Sequence, residues 1–264
     1  MTTRTSLDIL RQALVVIFAV TVPLASNIAS IVGYGRSISD QSDASDTLLV
    51  PWSFAFSIWG PIFLGLFAYA IIQGFPKNGA RPIYRATGWL MVASLGLITA
   101  WGLAAAFPPE DASRWLTALI FVPAMAAAVQ AMVILSRRKA ELSALEGWAV
   151  WAPISLLAGW CSLAVFLNWS QLGVNGPIGF GLSETVVCLL ALASALAWVV
   201  WSLHKTAGNA VYAFPVLWGL GFLAYARLAV DDLNMTIAVA AIVGFLIVLG
   251  STLVAARRKP LPLT

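Results

Sequence analysis

Histidine occurs once in this chain, as His204, cysteine occurs twice, and charged residues make up only 10% of 264 residues. Each scarcity excludes something. Soluble domains carry about 25% charged residues, so no water-soluble unit can be cut from the chain. A single histidine supplies neither a bis-imidazole haem site nor the cluster needed by a zinc or di-iron centre. His204, beside Lys205 at the end of an apolar run, has two readings: an axial ligand for a haem or chlorophyll metal, or an interfacial residue suited to a helix C-terminus. Cys161 and Cys188 lie inside apolar runs without C-x-x-C spacing, which argues against a metal site or a disulfide. No paired carboxylates and no nucleophile–base set are present, so the chain does not read as an enzyme. The centres of the apolar runs carry no ionisable side chain, which leaves proton-coupled transport without support. The net charge of +4 is scattered over short connections and presents no basic face to a nucleic acid.

What the chain has in abundance is apolar length. Hydrophobic residues make up 61% of it, in continuous blocks of about twenty, the length that crosses a bilayer as a helix. A β-barrel would alternate apolar and polar residues over short strands. The sequence predicts an all-α, polytopic membrane bundle of about eight transmembrane helices. The expected spans are Leu10–Ile31, Phe54–Gln73, Thr87–Phe107, Trp115–Leu135, Trp148–Trp169, Thr185–Leu203, Ala210–Val230 and Thr236–Ala256. The first contains Pro23 and Asn27 and lacks an A-x-A-like cleavage site, so it reads as a packed helix rather than a signal peptide. Residues 1–264 form a single membrane domain.

Charge orients the bundle. With eight spans, one face receives Arg4, Arg11, Lys77, Arg81, Arg85, Arg137, Arg138, Lys139, Lys205, Arg257, Arg258 and Lys259; the other receives only Arg36, Arg114 and Arg227. The positive-inside rule makes the first face cytoplasmic, and both termini with it. Removing one span would invert every later connection and destroy the asymmetry. The basic face also suits anionic lipid headgroups.

Two connections are long. Gly33 to Leu49 is rich in serine and aspartate, through Asp40, Asp43 and Asp46; it reads as a solvated acidic linker or as a lid over a cavity mouth. Ser170–Ser183 carries Gly173, Gly176, Gly179 and Gly181, which permit tight turns. Arg227 and Asp231, on the same outer face, stand four apart and would pair if their helix continues; alternatively, Arg227 would meet a ligand carboxylate. A short echo, Trp59-Gly60-Pro61-Ile62-Phe63-Leu64 against Trp218-Gly219-Leu220-Gly221-Phe222-Leu223, has the form of a transporter's inverted repeat.

Twelve tryptophans are many for so small a membrane protein. Some anchor the interfaces, and the sharpest pattern, Pro51 to Phe63, places Phe56, Trp59 and Phe63 on one face of the second span. Pro51 opens that helix, and Pro61 frees a carbonyl one turn back and would kink it beside Trp59. On the fifth span Pro153, Gly159-Trp160 and Asn168 recur in similar style, and Asn168 can hydrogen-bond across helices or to a ligand. These rings either pack helices together or wall a cavity.

Pro51-x-x-Phe54-x-Phe56-x-x-Trp59-Gly60-x-x-Phe63 resembles the second helix of the tryptophan-rich sensory proteins, the TspO/MBR relatives of the mitochondrial translocator protein, and within them the longer branch. Phe54 and Phe63 stand where that pattern has tyrosines, and Ser53 stands where it has glycine. Asn27 is similar to an asparagine before the family's outer loop, and Pro153-x-Ser155-x-x-x-Gly159-Trp160-x-x-x-Ala164-x-x-x-Asn168 resembles its fifth helix. Trp101 matches the third helix, but Ile98 replaces an asparagine there, removing a polar group that would orient a ligand. The resemblance covers residues 10–169 as a five-helix core; residues 185–256 supply three additional helices.

The resemblance implies a receptor or carrier in the bacterial inner membrane that binds a flat hydrophobic ligand, a tetrapyrrole or a sterol-like lipid. The implied pocket lies among the helices near the first loop, walled by Phe54, Phe56, Trp59, Phe63, Trp101, Trp160 and Asn168. No cofactor is required, and a porphyrin or haem-like molecule would enter as ligand. The expected partners are membrane lipids and a hydrophobic small molecule; a homodimer and the subunits of a larger membrane complex are both left open. A structural or assembly subunit, for example of a pigment–protein complex, is the alternative function, and a secondary transporter the second alternative.

Overall fold

The computed structural model describes residues 3–36, 47–230 and 233–257, without the side chains at 175 and 177. All regular elements among the described residues are helical. Eight helices are long and apolar enough to cross a membrane: α1 Ser6–Ser26, α2 Ser53–Gly74, α3 Pro82–Ala106, α4 Glu110–Arg137, α5 Ala144–Val174, α6 Glu184–Lys205, α7 Ala210–Val230 and α8 Met235–Ala256. The protein is a multi-pass membrane bundle, as hydropathy predicts.

Local chemistry explains the boundaries. Thr5 and Asp8 form a reciprocal capping box that starts α1 a turn before the predicted span. The helix breaks at Asn27, whose side chain donates to the Pro23 carbonyl at 2.9 Å; a five-residue continuation then ends at Gly33 in the left-handed region. Ser143 and Glu146 repeat the capping box ahead of α5, and Asn209 caps α7 by accepting from the Val211 and Tyr212 amides.

Proline at the start of α2 acts differently from the kink expected. Ser53–Ile58 winds as a tight 3-10 helix, and the α-helix begins only at Trp59. Pro61 therefore falls in the first α-turn, where its missing N–H costs nothing, and the change of winding replaces a kink. Pro51 lies ahead of the helix rather than opening it. The connection after α5 is also shorter than the sequence suggests, because that helix runs on to Asn175. The acidic stretch 37–46, the candidate lid, lies outside the described residues.

The helices close two rings that share α5. In the first, α1 packs on α2 and α3, α3 on α4, α4 on α5, and α5 on α2. In the second, α5 packs on both α6 and α7, which are joined through α8. The most apolar stretch of α5 is 67% buried, against 33% for α8, which identifies α5 as the shared wall and α8 as lipid-facing. Close approach requires glycine on both sides of this wall. A Cβ on Gly65 of α2 would come within 2.8 Å of Pro153, and one on Gly159 of α5 would collide with the Tyr212 carbonyl of α7.

Several charges are built into the bundle, Arg11 of the basic face among them. Asp8, Arg11 and Glu146 are buried. Asp8 pairs with Arg85 of α3, and Glu146 with Arg81 and, at 2.6 Å, with the Tyr84 hydroxyl. Gln12 and Gln73 exchange side-chain-to-backbone bonds between α1 and α2. These bonds satisfy polar groups where lipid offers no partner.

Candidate functional site

The seven residues proposed as a wall fall into three aromatic groups. The first joins α2 to α5. Trp59 stacks on Phe63 with centroids 5.3 Å apart and meets Trp160 edge-on at 6.3 Å; Phe56 meets Trp160 edge-on at 5.9 Å. The second joins the start of α2 to α7, where Phe54 contacts Trp52, Trp218 and Phe222. The third lies between α3, α4 and α5: Trp101 stacks on Phe121 at 5.2 Å and donates to Asn168 Oδ1 at 3.4 Å. Asn168 in turn donates to the Ala164 carbonyl at 2.8 Å.

Phe54 and Phe56 stand two residues apart and so point to different sides of the helix. In the 3-10 turn, positions three apart eclipse. Phe56 and Trp59 thus share Trp160, while Phe54 turns to α7 and stays 51% exposed. Trp218 of α7 also donates its indole N–H to the Ala55 carbonyl at 2.9 Å, tying the tight helix to α7.

Trp160 is 3% exposed and belongs to two neighbourhoods. One side meets the α2 rings. The other lines a narrow apolar cleft, partly open to the surroundings, with a cavity volume of about 30 Å³. Trp160, Leu163, Ala164, Phe166 and Leu167 of α5 form its floor; Leu192 and Ala195 of α6, Gly219 and Leu223 of α7, and Leu49 and Pro51 ahead of α2 complete it. Gly219 keeps this space, since a Cβ there would run into Leu163.

The segment 47–52 covers one side of the cleft and is fastened at alternate residues. The Leu48 amide donates to Glu184 Oε1 of α6 at 2.9 Å. The Val50 carbonyl accepts from Arg227 of α7 at 3.4 Å, and the Trp52 amide donates to the Phe222 carbonyl at 3.3 Å. Arg227 sits in a π-helical turn, Ala226–Val230, and is buried; its expected pairing with Asp231 lies outside the described residues.

Of the seven proposed residues, Trp160 lines this cleft; Phe56, Trp59 and Phe63 stand directly behind it, Phe54 flanks its α7 side, and the Trp101–Asn168 pair lies a turn or two further along α5. Sequence reasoning missed Leu49, Leu163, Leu192, Ala195 and Leu223, which are ordinary apolar residues with no signal of their own. Gly219 did carry one, through the Trp218-Gly219 echo of Trp59-Gly60. Both halves of that echo meet Trp160, one from each ring.

The cleft offers apolar contact and no catalytic constellation. Among the described residues, no group of three or more histidine, cysteine, aspartate or glutamate side chains is placed to hold a metal ion. His204 is half-buried in the last turn of α6, and both cysteines are free and buried.

Searches of curated proteins and of solved structures gave no match. The family model described as TSPO-like protein matches residues 9–254, so it includes α6, α7 and α8 as well as the first five helices. The chain belongs to the TSPO-like protein family.

Proposed function

We propose that this protein is a non-enzymatic membrane receptor for a flat hydrophobic ligand, a tetrapyrrole or a sterol-like lipid. The observation that carries the reading is the apolar cleft at the seam of the two rings, with Trp160 on its wall and the Phe56–Trp59–Phe63 group behind it. The cleft holds only about 30 Å³ at rest, well short of the roughly 300–1,000 Å³ of small-molecule sites, so a flat ligand would enter by parting the helices around Trp160. Aromatic faces bind macrocycles without placing charge in the membrane.

Phe54, Phe56, Trp59, Phe63, Trp101, Trp160 and Asn168 remain the residues proposed to contact or support the ligand, with Leu163, Gly219 and Leu223 added on the second ring. In this reading the protein lies in a bacterial inner membrane with both termini in the cytoplasm, and the excess of basic residues on one face supports that orientation.

Titration of the detergent-solubilised protein with protoporphyrin tests the proposal. Tryptophan fluorescence should be quenched saturably, and Trp160→Phe or Trp59→Ala should weaken the quenching several-fold. Linear quenching, identical in wild type and variants, rejects it. The alternative role, a subunit of a larger membrane complex, would instead be seen as unrelated subunits in the gently purified particle.

A further inference from the structure

The basic residues at the end that the sequence places in the cytoplasm are not matched evenly. Carboxylates pair with Arg11 and Arg85 through Asp8, with Arg81 through Glu146, and with Arg138 through Glu141. At the end of the second ring, Arg137, Lys139 and Lys205 make no ion pair among the described residues.

Hydrogen bonds between four helix ends gather these three cations. Arg137, in the last turn of α4, donates from Nε to the Lys205 carbonyl at the end of α6, at 3.3 Å. Its Nη1 is buried with no acceptor among the described residues. Next to it, Ser136 Oγ accepts from the Trp151 indole of α5 at 3.0 Å and from the Asn209 amide that caps α7 at 3.3 Å. Lys139 Nζ lies over the Trp151 ring, 3.7 Å from its centroid. This cation–π contact holds the ammonium in place without neutralising it. Lys205 Nζ stands 5.8 Å from the Trp201 ring.

The helix ends do not cancel this charge. The C-termini of α4 and α6 supply about half a negative charge each, against three full positive ones. Below the cluster, Lys205, Trp201, Ala197 and Leu190 follow one another along a single face of α6. Trp201, Ala197 and Leu190 are exposed. A cationic head above an aromatic ring and an apolar stripe matches a phosphate above an acyl chain.

We propose that this corner is a site for an anionic phospholipid of the cytoplasmic leaflet. The Arg137 guanidinium and the Lys139 and Lys205 ammonium groups hold its phosphate, and an acyl chain lies along the Trp201 face of α6. Arginine suits the role because its planar fork matches phosphate oxygens. The bound lipid ties the ends of α4, α5 and α6 together. The site is separate from the cleft and independent of any reading of the hydrophobic ligand.

The full-length protein, delipidated in an uncharged detergent, provides the test. Phosphatidylglycerol or phosphatidylcholine is titrated in mixed micelles, with retained lipid counted by native mass spectrometry and the thermal midpoint followed. Phosphatidylglycerol should bind saturably and raise the midpoint, and phosphatidylcholine should do neither at the same concentrations. Each basic residue near a membrane surface strengthens binding to anionic lipid about fivefold, so Lys139→Gln and Lys205→Gln should each weaken binding by that factor. Arg137→Gln should weaken it by about tenfold or more, as for a lost hydrogen bond to a charged group; if it does not fold, the two lysine variants decide. Lys77→Gln removes a charge from the same membrane face away from this corner and should leave binding within about twofold of wild type. Equal binding of the two lipids would overturn the proposal. So would equal weakening by Lys77→Gln and Lys205→Gln, which would mean attraction by the whole face. Displacement of the lipid by inorganic phosphate at the lipid's own half-saturating concentration would also overturn it, because the acyl chain would then contribute nothing.

Discussion

The indole of Trp160 meets the indole of Trp59 edge to face, with ring centroids 6.3 Å apart and planes inclined at 80°. This contact holds the two rings of helices to a common reference. Trp59 reports from the first ring, and the opposite side of Trp160 looks into the cleft of the second. Any occupant of the cleft therefore touches a side chain already locked to α2.

Removing that side chain should be costly. Trp160→Ala is expected to destabilise the protein by about 3–5 kcal/mol, the range for deleting a large buried aromatic. A double-mutant cycle with Trp59→Leu and Trp160→Leu should give a coupling of about 0.5–1.5 kcal/mol, the range for an aromatic pair. Denaturant unfolding in mixed micelles measures both.

Two glycines should respond oppositely. Gly159→Ala forces a methyl group into the Tyr212 carbonyl and should cost about 1–3 kcal/mol through overpacking. Gly60→Ala meets open space and should stay within about 0.5 kcal/mol of wild type. Thermal unfolding of the two variants side by side checks the contrast.

The fastened segment ahead of α2 should loosen when its catch is cut. Glu184→Ala deprives the Leu48 amide of its acceptor, a loss of about 0.5–1.5 kcal/mol. Amide exchange should speed up across residues 47–52 and leave α3 and α4 unchanged. Glu184→Gln, which keeps a carbonyl oxygen, should lie between the two.

Tyr84→Phe removes one donor to the buried Glu146 carboxylate and leaves Arg81 in place. A hydrogen bond to a charged group contributes about 1.5–3 kcal/mol, so the thermal midpoint should fall clearly while the helical circular dichroism is retained.

Glu141, in the connection between α4 and α5, titrates below the usual carboxylate range because Arg138 donates hydrogen bonds to it. A depressed folded-state value means that its contribution is fully present above the ordinary glutamate pKa and is lost as pH falls through the lowered value. Glu141→Gln should flatten that acid-side portion of the stability profile, measured as thermal midpoint against pH.

How much of this was legible in the sequence differs by residue. The second-helix motif pointed to Trp59, Phe56 and Phe63, and these do converge with Trp160. Phe54 belonged to the same motif but faces α7, because it stands two residues from Phe56 and so falls on another side of the helix. Arg11 read as a topology charge near a helix start; its burial depends on Gly88 and Gly79, which are distant in sequence.

The sequence by itself determined the membrane class, the number of spans and the asymmetry of charge, because hydropathy and charge are properties of each segment alone. The tertiary structure decided that α5 is shared by two rings, that Leu49 and Pro51 close a cleft against α6 and α7, and which indole sees both sides. Helices that are apolar on every face carry no stripe to name their neighbours. Their partners are chosen by close fits such as Gly159 against Tyr212 and Gly65 against Pro153, and these exist only once the helices have met.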